Sequence, residues 1–269
     1  MIDDLDLPAL RRLATDVATE AAAVLLDALH ESRTEVTTKS TGTDMVTEMD
    51  RASEELIVRR IIAERPDDGI VGEEGADRAG TSGVQWVIDP LDGTTNYLYR
   101  LPGWNVSVGV EVDGRPVAGA VVVPTVGDTF SAALGHGATA NGVPLVADRH
   151  GPPLAEALIG TGFSYDPAVR SRQAELLAAL LPRVRDIRRM GAAAVDLCSV
   201  ACGRLDAYYE RGLSWWDLAA GGLIAAEAGA TLSAIDGGPV EPGSVLAAAP
   251  PIATPLRDLL CSLGAQKVP

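Results

Sequence analysis

Histidine and cysteine are both scarce in this 269-residue sequence, which has three of each. The histidines, at positions 30, 136 and 150, lie outside the acidic motifs described below. A histidine phosphatase or a Ser-His-Asp hydrolase would therefore lack its base. The odd, sparse set of cysteines favours a reducing compartment over a disulfide framework.

Long apolar runs are also missing from the sequence. No stretch approaches the roughly 18 consecutive apolar residues of a membrane span. The first six residues, Met-Ile-Asp-Asp-Leu-Asp, lack the basic-then-apolar order of a signal peptide. Hydrophobic residues still make up 47% of the chain, which is enough for a substantial core. We therefore expect a cytoplasmic protein with no membrane partner.

Positive charge is in short supply. The chain has 22 lysines and arginines against 37 aspartates and glutamates, so its formal net charge is -15. Because a nucleic acid needs basic side chains to neutralise its phosphates, direct nucleic acid binding is not expected. An acidic protein that acts on an anionic ligand needs local positive charge, and bound cations can supply it.

The most informative segment that is present is Trp86–Asn96, where a short apolar run leads to two aspartates three residues apart. Carboxylates this close repel each other unless a hard cation binds between them, as in magnesium sites. Gly93-Thr94-Thr95 follows, and at a helix start it offers free backbone N–H groups to a phosphate. The ordinary alternative for Asp89 and Asp92 is a pair of surface turns.

Two further acidic segments have the same ambiguity. Glu73 and Glu74 end a short apolar run, where a solvated acidic turn is the simpler interpretation. Asp217 stands at a predicted helix start, where aspartate is a common N-cap, and the Ala-Ala-Gly-Gly sequence after it favours close helix packing. No single one of these positions establishes a metal site.

Hydrophobic periodicity predicts helices over residues 10–29, 47–64, 170–181, 192–202, 216–227 and 256–263. Strands are predicted over residues 69–72, 86–88, 106–112, 117–123, 129–133, 137–140, 158–162, 186–189, 207–209 and 244–249. The Asp113-Gly114 and Asn141-Gly142 pairs predict tight turns. Helices mixed with antiparallel hairpins predict an α+β fold of stacked layers. We expect one unit over residues 1–269, with halves of about 1–150 and 151–269 around a cleft.

Taken together, the motifs resemble the inositol monophosphatase family of magnesium-dependent, lithium-sensitive phosphatases. The similarity covers most of the chain, from about Lys39 to Gly229, with the motifs in the family's order. They are Lys39–Asp50, Gly72–Glu74, Asp89–Asn96, Gly191–Cys198 and Trp216–Gly221. The resemblance implies a layered α/β/α/β/α sandwich of the type shared by inositol monophosphatase and fructose-1,6-bisphosphatase.

The resemblance also implies a metal site and a reaction. Two or three Mg2+ ions are implied, and their ligands would be Glu73, Asp89, the Leu91 carbonyl, Asp92 and Asp217. The resemblance also implies that Li+ inhibits the enzyme. The implied catalytic residues are Thr94 and Asp50, which orient and help deprotonate a water molecule, together with Glu73 and Lys39. The expected reaction is direct in-line hydrolysis of a phosphomonoester by a metal-activated water.

Substrate contacts follow from the same resemblance. The phosphate is expected at Leu91, Asp92, Gly93 and Thr94, and the rest of the substrate at Gly191, Ala192, Ala193, Glu210 and Asp217. Glu210 corresponds to the glutamate that binds ring hydroxyls in inositol-specific members, although an exposed acid after a strand is the alternative. Inositol 1-phosphate, or a similar small phosphorylated polyol, is therefore the expected substrate.

Several alternatives stay open at this point. Relatives in the family hydrolyse fructose 1,6-bisphosphate, histidinol phosphate or 3′-phosphoadenosine 5′-phosphate, and the Phe163–Tyr165 segment could shift the preference. Some bacterial members act as regulatory partners of the transcription machinery, which gives a non-enzymatic alternative. The resemblance also implies a homodimer.

Overall fold

The computed structural model describes residues 2–31, 42–147 and 151–268. Its helices are α1 Leu7–Glu31, α2 Gly42–Glu64, α3 Thr94–Leu98, α4 Pro167–Leu180, α5 Ala193–Ala201, α6 Trp215–Ala228 and α7 Pro250–Ser262. Among the described residues, no helix has the length and apolarity that crossing a bilayer requires.

The first eight strands form one sheet. They are β1 Gly69–Gly72, β2 Asp77–Arg78, β3 Val84–Asp92, β4 Asn105–Val112, β5 Arg115–Val123, β6 Asp128–Ala133, β7 Ala138–Ala140 and β8 Val143–Pro144. Their order is β2-β1-β3-β4-β5-β6-β7-β8, and every neighbouring pair is antiparallel except β1 with β3. The predicted turns are confirmed: Asp113 and Gly114 connect β4 to β5 with φ of 52° and 73°, as two-residue hairpins of this type require.

The remaining strands form a second, mixed sheet. They are β9 Leu158–Thr161, β10 Asp186–Arg188, β11 Ala207–Arg211, β12 Thr231–Ser233 and β13 Ser244–Ala248. Their order is β10-β9-β11-β13-β12. The strands β10, β9 and β11 run parallel to one another, whereas β13 is antiparallel to both of its neighbours.

Alternating apolar side chains place helices on both faces of each sheet. On β5, Ala120 and Val122 pack in the cluster that contains α1, whereas Val121 and Val123 pack with α5 and α6. On β11, Tyr208 packs with α5 and α6, whereas Ala207 and Tyr209 pack towards α4 and α7. Four apolar clusters therefore separate five layers, and the predicted α/β/α/β/α sandwich is confirmed.

The structure corrects three details of the predicted elements. Strand β3 continues past Ile88 through Asp92, because a register shift between Asp89 and Asp92 accommodates Pro90, which lacks an N–H group. Helix α7 begins at Pro250 and not at position 256, since proline is tolerated in the first helical turn. Strand β12 was not predicted, and neither were the two-residue strands β2 and β8.

Candidate active site

The irregular end of β3 carries the first two site carboxylates. The Leu91 amide donates to Asp89 Oδ1 at 3.1 Å, and Ser53 Oγ donates to the Pro90 carbonyl at 2.9 Å. Asp92 Oδ2 accepts from Asn105 Nδ2 and from the Ala194 amide, both at 2.9 Å. These bonds fix the direction of each carboxylate, and both aspartates are buried.

Helix α6 supplies a third carboxylate. Asp217 is the N3 residue of this helix and forms a capping box with Ser214, whose amide donates to Asp217 Oδ2 at 2.7 Å. Asp89, Asp92 and Asp217 each place one carboxylate oxygen so that the three atoms lie within 4.8 Å of one another. We call these three residues the carboxylate cluster. An oxygen-only set of this kind could hold a divalent metal ion.

Electrostatics within the carboxylate cluster are unfavourable without a cation. Burial, and then repulsion from Asp92 and Glu73, raise the pKa of Asp89 well above its usual range. Burial raises the pKa of Asp92 as well, although the hydrogen bonds from Asn105 and Ala194 oppose this shift. Burial and the charge of Asp92 raise the pKa of Asp217 to about 8. Bound cations would reverse this balance by favouring the ionised carboxylates.

The turn after β1 brings a further acid, Glu73, beside the cluster. Burial raises the pKa of Glu73, whose carboxyl group lies beside that of Asp89. Glu54, on α2, accepts hydrogen bonds from the amides of Glu74 and Ala76, both at 3.1 Å. This buried carboxylate thereby fixes the turn that presents Glu73, a contribution that the sequence did not reveal.

Asp50 lies one helical turn before Glu54 on α2, and it is buried. Burial, followed by repulsion from Glu74, Glu73 and Glu54, raises the pKa of Asp50 to about 8. Within the described residues, Thr94 and Asp50 are not hydrogen-bonded to each other, so their pairing stays a prediction. Lys39 lies outside the described residues.

Two small-residue segments meet next to the carboxylate cluster. Gly93 caps α3 with φ 85°, and a Cβ at this position would lie 3.2 Å from Ala192 Cβ and 3.3 Å from the Gly191 carbonyl oxygen. Glycine therefore allows the start of α3 to approach the Gly191–Ala193 segment closely. The amides of the first turn of α3 have no partner within the helix and are available to an anion.

Glu210 lies near the end of β11, across from these segments. Its Oε2 accepts a hydrogen bond from Tyr208 Oη at 2.6 Å. Its carboxyl group occupies the space that a Cβ on Gly162 would need. Burial raises the pKa of Glu210 to about 7, although the bond from Tyr208 and the charge of Arg189 oppose the shift.

A cleft of about 500 Å³ brings most of the predicted site residues together. The predicted residues that line it are Glu73, Asp89, Leu91, Asp92, Gly93, Thr94, Gly191, Ala192, Ala193, Glu210 and Asp217. Phe163, Ser164 and Tyr165 also line it, so the segment that left substrate preference open borders the same cleft.

Sequence reasoning missed three residues that shape this cleft. Arg189 lines it and is a basic group close enough to affect the pKa of both Asp92 and Glu210. Asn105 and Ser214 orient carboxylates of the cluster. Only Arg189 had a visible signal, since it directly precedes the Met190-Gly191-Ala192 stretch in a very acidic chain.

A layered α/β/α/β/α fold with a largely buried carboxylate cluster beside a helix start defines a narrow class of proteins, and comparison with known proteins identifies it. The model of the inositol monophosphatase family matches residues 6–264. The chain therefore belongs to the inositol monophosphatase family.

Individual relatives agree with this assignment. An inositol-1-monophosphatase from Mycobacterium leprae (strain TN) is 46% identical over 96% of both chains. A protein named Nus factor SuhB, from Pasteurella multocida (strain Pm70), is 42% identical over 81% of this chain and 82% of its own.

Solved structures show the same architecture. Mycobacterium tuberculosis SuhB superimposes with a TM-score of 0.83 at 43% identity, covering 95% of this chain and 97% of its own. An inositol monophosphatase from Anabaena (Nostoc) sp. PCC 7120 gives a TM-score of 0.83 at 34% identity over 98% of both chains.

Proposed function

We propose that the protein is a magnesium-dependent phosphatase that hydrolyses inositol 1-phosphate and similar small phosphomonoesters. The observation that carries the proposal is the carboxylate cluster, whose three oxygens lie within 4.8 Å of one another at the wall of the cleft. The cluster adjoins the start of α3, where backbone amides face an incoming phosphate.

The chemistry of the cluster supports magnesium as the metal. Its donors are carboxylate oxygens, which suit hard cations better than zinc or copper. Asp89, Asp92 and Asp217 would hold the ions together with Glu73 and the Leu91 carbonyl. Bound magnesium would supply positive charge that lowers the pKa of water and neutralises charge on the phosphoryl and leaving oxygens.

The chain's own residues then have distinct tasks. The amides of Gly93 and Thr94 hold the phosphate, and the close contact between Gly93 and Ala192 keeps this segment in place. Thr94 and Asp50 orient the attacking water and accept its proton, and Lys39 is a further catalytic residue of this proposal. No phosphoenzyme forms, because the attacking group is water.

Glu210 supports a polyol as the leaving group. Its carboxylate is fixed by Tyr208 and lies in the same cleft as the carboxylate cluster. A fixed carboxylate that accepts hydrogen bonds selects for hydroxyl groups at a defined position. The name inositol-1-monophosphatase, carried by the Mycobacterium leprae relative, supports the same substrate.

The substitution Asp92→Asn tests the metal assignment. It preserves side-chain shape and an acceptor for Asn105, but removes one negative charge from the carboxylate cluster. We expect loss of inositol 1-phosphate hydrolysis by at least about 100-fold and much weaker Mg2+ binding by calorimetry, with an unchanged circular dichroism spectrum. Near-normal turnover with intact Mg2+ binding would contradict the proposal.

A regulatory role in transcription is a second candidate, and the relatives named Nus factor SuhB support it. The net charge of -15 favours a basic protein partner over direct contact with nucleic acid. The Asp92→Asn protein separates the two candidates, because capture of RNA polymerase or its factors should survive the loss of catalysis.

Fructose 1,6-bisphosphate, histidinol phosphate and 3′-phosphoadenosine 5′-phosphate are the alternative substrates within the family. Arg189, which lines the cleft, could bind a second anionic group of such a substrate.

We further propose a cytoplasmic homodimer. The side chains of Tyr99 and Leu101 are 70% and 51% exposed, which supports an apolar surface that a second copy of the chain would cover.

A further inference from the structure

A second groove, of about 540 Å³, lies between the beginning of α1 and the strands β6 and β7. On β6, Ser131 faces this groove, whereas Phe130 and Ala132 face α5 and α6 on the other side of the sheet. The groove is therefore separated from Asp217 by the first sheet. The polar residues of its lining include Arg11, Arg12, Asp16, Ser131, His136 and Thr139.

Arg11 has unusual partners for an arginine of this chain. Its Nε donates to Ser131 Oγ at 2.9 Å, and its Nη2 donates to Thr139 Oγ1. Several other guanidinium groups pair with carboxylates, as Arg60 does with Glu20 and Arg65 with Asp68. Others, such as that of Arg211, bind a backbone carbonyl group. Among residues 2–31, 42–147 and 151–268, no carboxylate forms an ion pair with Arg11.

Partial burial makes this arrangement electrostatically unfavourable. It lowers the pKa of Arg11, since a charge that leaves water without a counter-ion is disfavoured. The two hydroxyl groups hold the guanidinium in one orientation, so its remaining N–H groups are preorganised for an acceptor.

One further fixed positive charge, that of Arg12, lies at the groove. Arg12 and His136 are exposed at its margin, and Asp16 is the one acid among the described lining residues. The turn that carries His136 is held by Glu227 of α6, whose carboxylate accepts from the amides of Gly135 at 2.9 Å and Gly137 at 2.8 Å. His136 is therefore presented on a fixed turn.

We propose that this groove binds a small ligand through a tetrahedral oxyanion, a phosphate or sulfate group, at a site separate from the catalytic cleft. Arg11 and Arg12 would hold the charge with N–H donors. Thr129 would add a hydroxyl donor, and so would one of Ser131 and Thr139, whose hydroxyl groups are hydrogen-bonded to each other. An arginine fork matches two oxygens of such a group. The groove volume is in the range of small-molecule sites.

A titration with sodium sulfate tests the proposal. The amide NMR shifts of the full-length, Mg2+-loaded protein are measured at each sulfate concentration, at constant ionic strength. Sulfate keeps its charge over the working pH range, and residue-resolved shifts distinguish the groove from the cleft. We expect saturable shifts in residues 129–139. Inorganic phosphate, added in a second series, should shift the same residues.

Two variants and one matched control complete the design. Arg12→Ala and Arg11→Lys should each weaken sulfate binding about tenfold, the second because lysine keeps the charge but loses the fork. Arg59→Ala, which removes one exposed arginine from α2, should leave the affinity unchanged. Arg12 is exposed, so its variant stays informative even if Arg11→Lys does not fold.

Two outcomes would overturn the proposal. One is the absence of saturable shifts in residues 129–139 at sulfate concentrations up to about 50 mM. Binding that needs more sulfate than this is too weak to be specific. The other is equal weakening in Arg12→Ala and Arg59→Ala, which would show that sulfate responds only to net charge.

Discussion

At the scale of single residues, Glu210 has the clearest test of substrate choice. It is fixed by Tyr208, its pKa is raised to about 7, and Gly162 leaves room for its carboxyl group. A hydroxyl-bearing substrate would bind the ionised form through hydrogen bonds to a charged acceptor, which are stronger than neutral ones.

Glu210→Ala should therefore separate two kinds of substrate. We expect kcat/KM for inositol 1-phosphate to fall roughly 10- to 100-fold, from the loss of one or two charged hydrogen bonds. Turnover of p-nitrophenyl phosphate, which lacks ring hydroxyls, should change little. Tyr208→Phe is the control, since it removes the donor but keeps the carboxylate. An equal loss on both substrates in Glu210→Ala would contradict a role in specificity.

At the scale of elements, the sequence predicts the type of each long helix and strand, because periodicity is a local property. It also predicts which segments would meet at a site, through the family resemblance. It does not predict that β3 runs through both aspartates, since the bulge at Pro90 depends on pairing with β4. The Glu54 bonds to the turn after β1 are likewise tertiary contacts between segments about 20 residues apart.

The close packing of α6 against the first sheet determines where Asp217 lies. Gly109 on β4 faces this helix, and a Cβ there would be 2.9 Å from Ala219 Cβ and 3.3 Å from the Ala220 amide nitrogen. These neighbours belong to the helix itself and cannot rotate away. The small residues of α6 therefore bring the carboxylate of Asp217 to the end of β3.

Gly109→Ala should displace α6 and the Asp217 carboxylate with it. We expect a loss of about 1–3 kcal/mol in the free energy of unfolding from overpacking, together with weaker Mg2+ binding by calorimetry. Gly222→Ala is the matched control within α6, because its Cβ would meet Leu232 at an ordinary 3.5 Å. If both variants bound Mg2+ like the parent protein, close packing would not determine the position of Asp217.

At the scale of the whole molecule, acidic groups with raised pKa values connect metal binding to stability. Burial and neighbouring acids raise the pKa of Asp50 and Asp217 from 3.8 to about 8, and burial raises that of Glu210 from 4.5 to about 7. Between about pH 4 and pH 8, the folded metal-free protein therefore binds more protons than the unfolded chain. Its free energy of unfolding must fall as the pH rises through this window.

Magnesium should reverse this trend, because it binds the ionised carboxylates and stabilises only the folded state. We expect urea unfolding in EDTA to show a lower midpoint at pH 8 than at pH 6, and added Mg2+ to raise the midpoint more at pH 8. Asp217→Asn should flatten the pH dependence in EDTA, since one raised pKa is removed. A metal-free protein that is more stable at pH 8 than at pH 6 would show that these carboxyl groups do not hold protons in the folded state, and the electrostatic basis for the cation site would be lost.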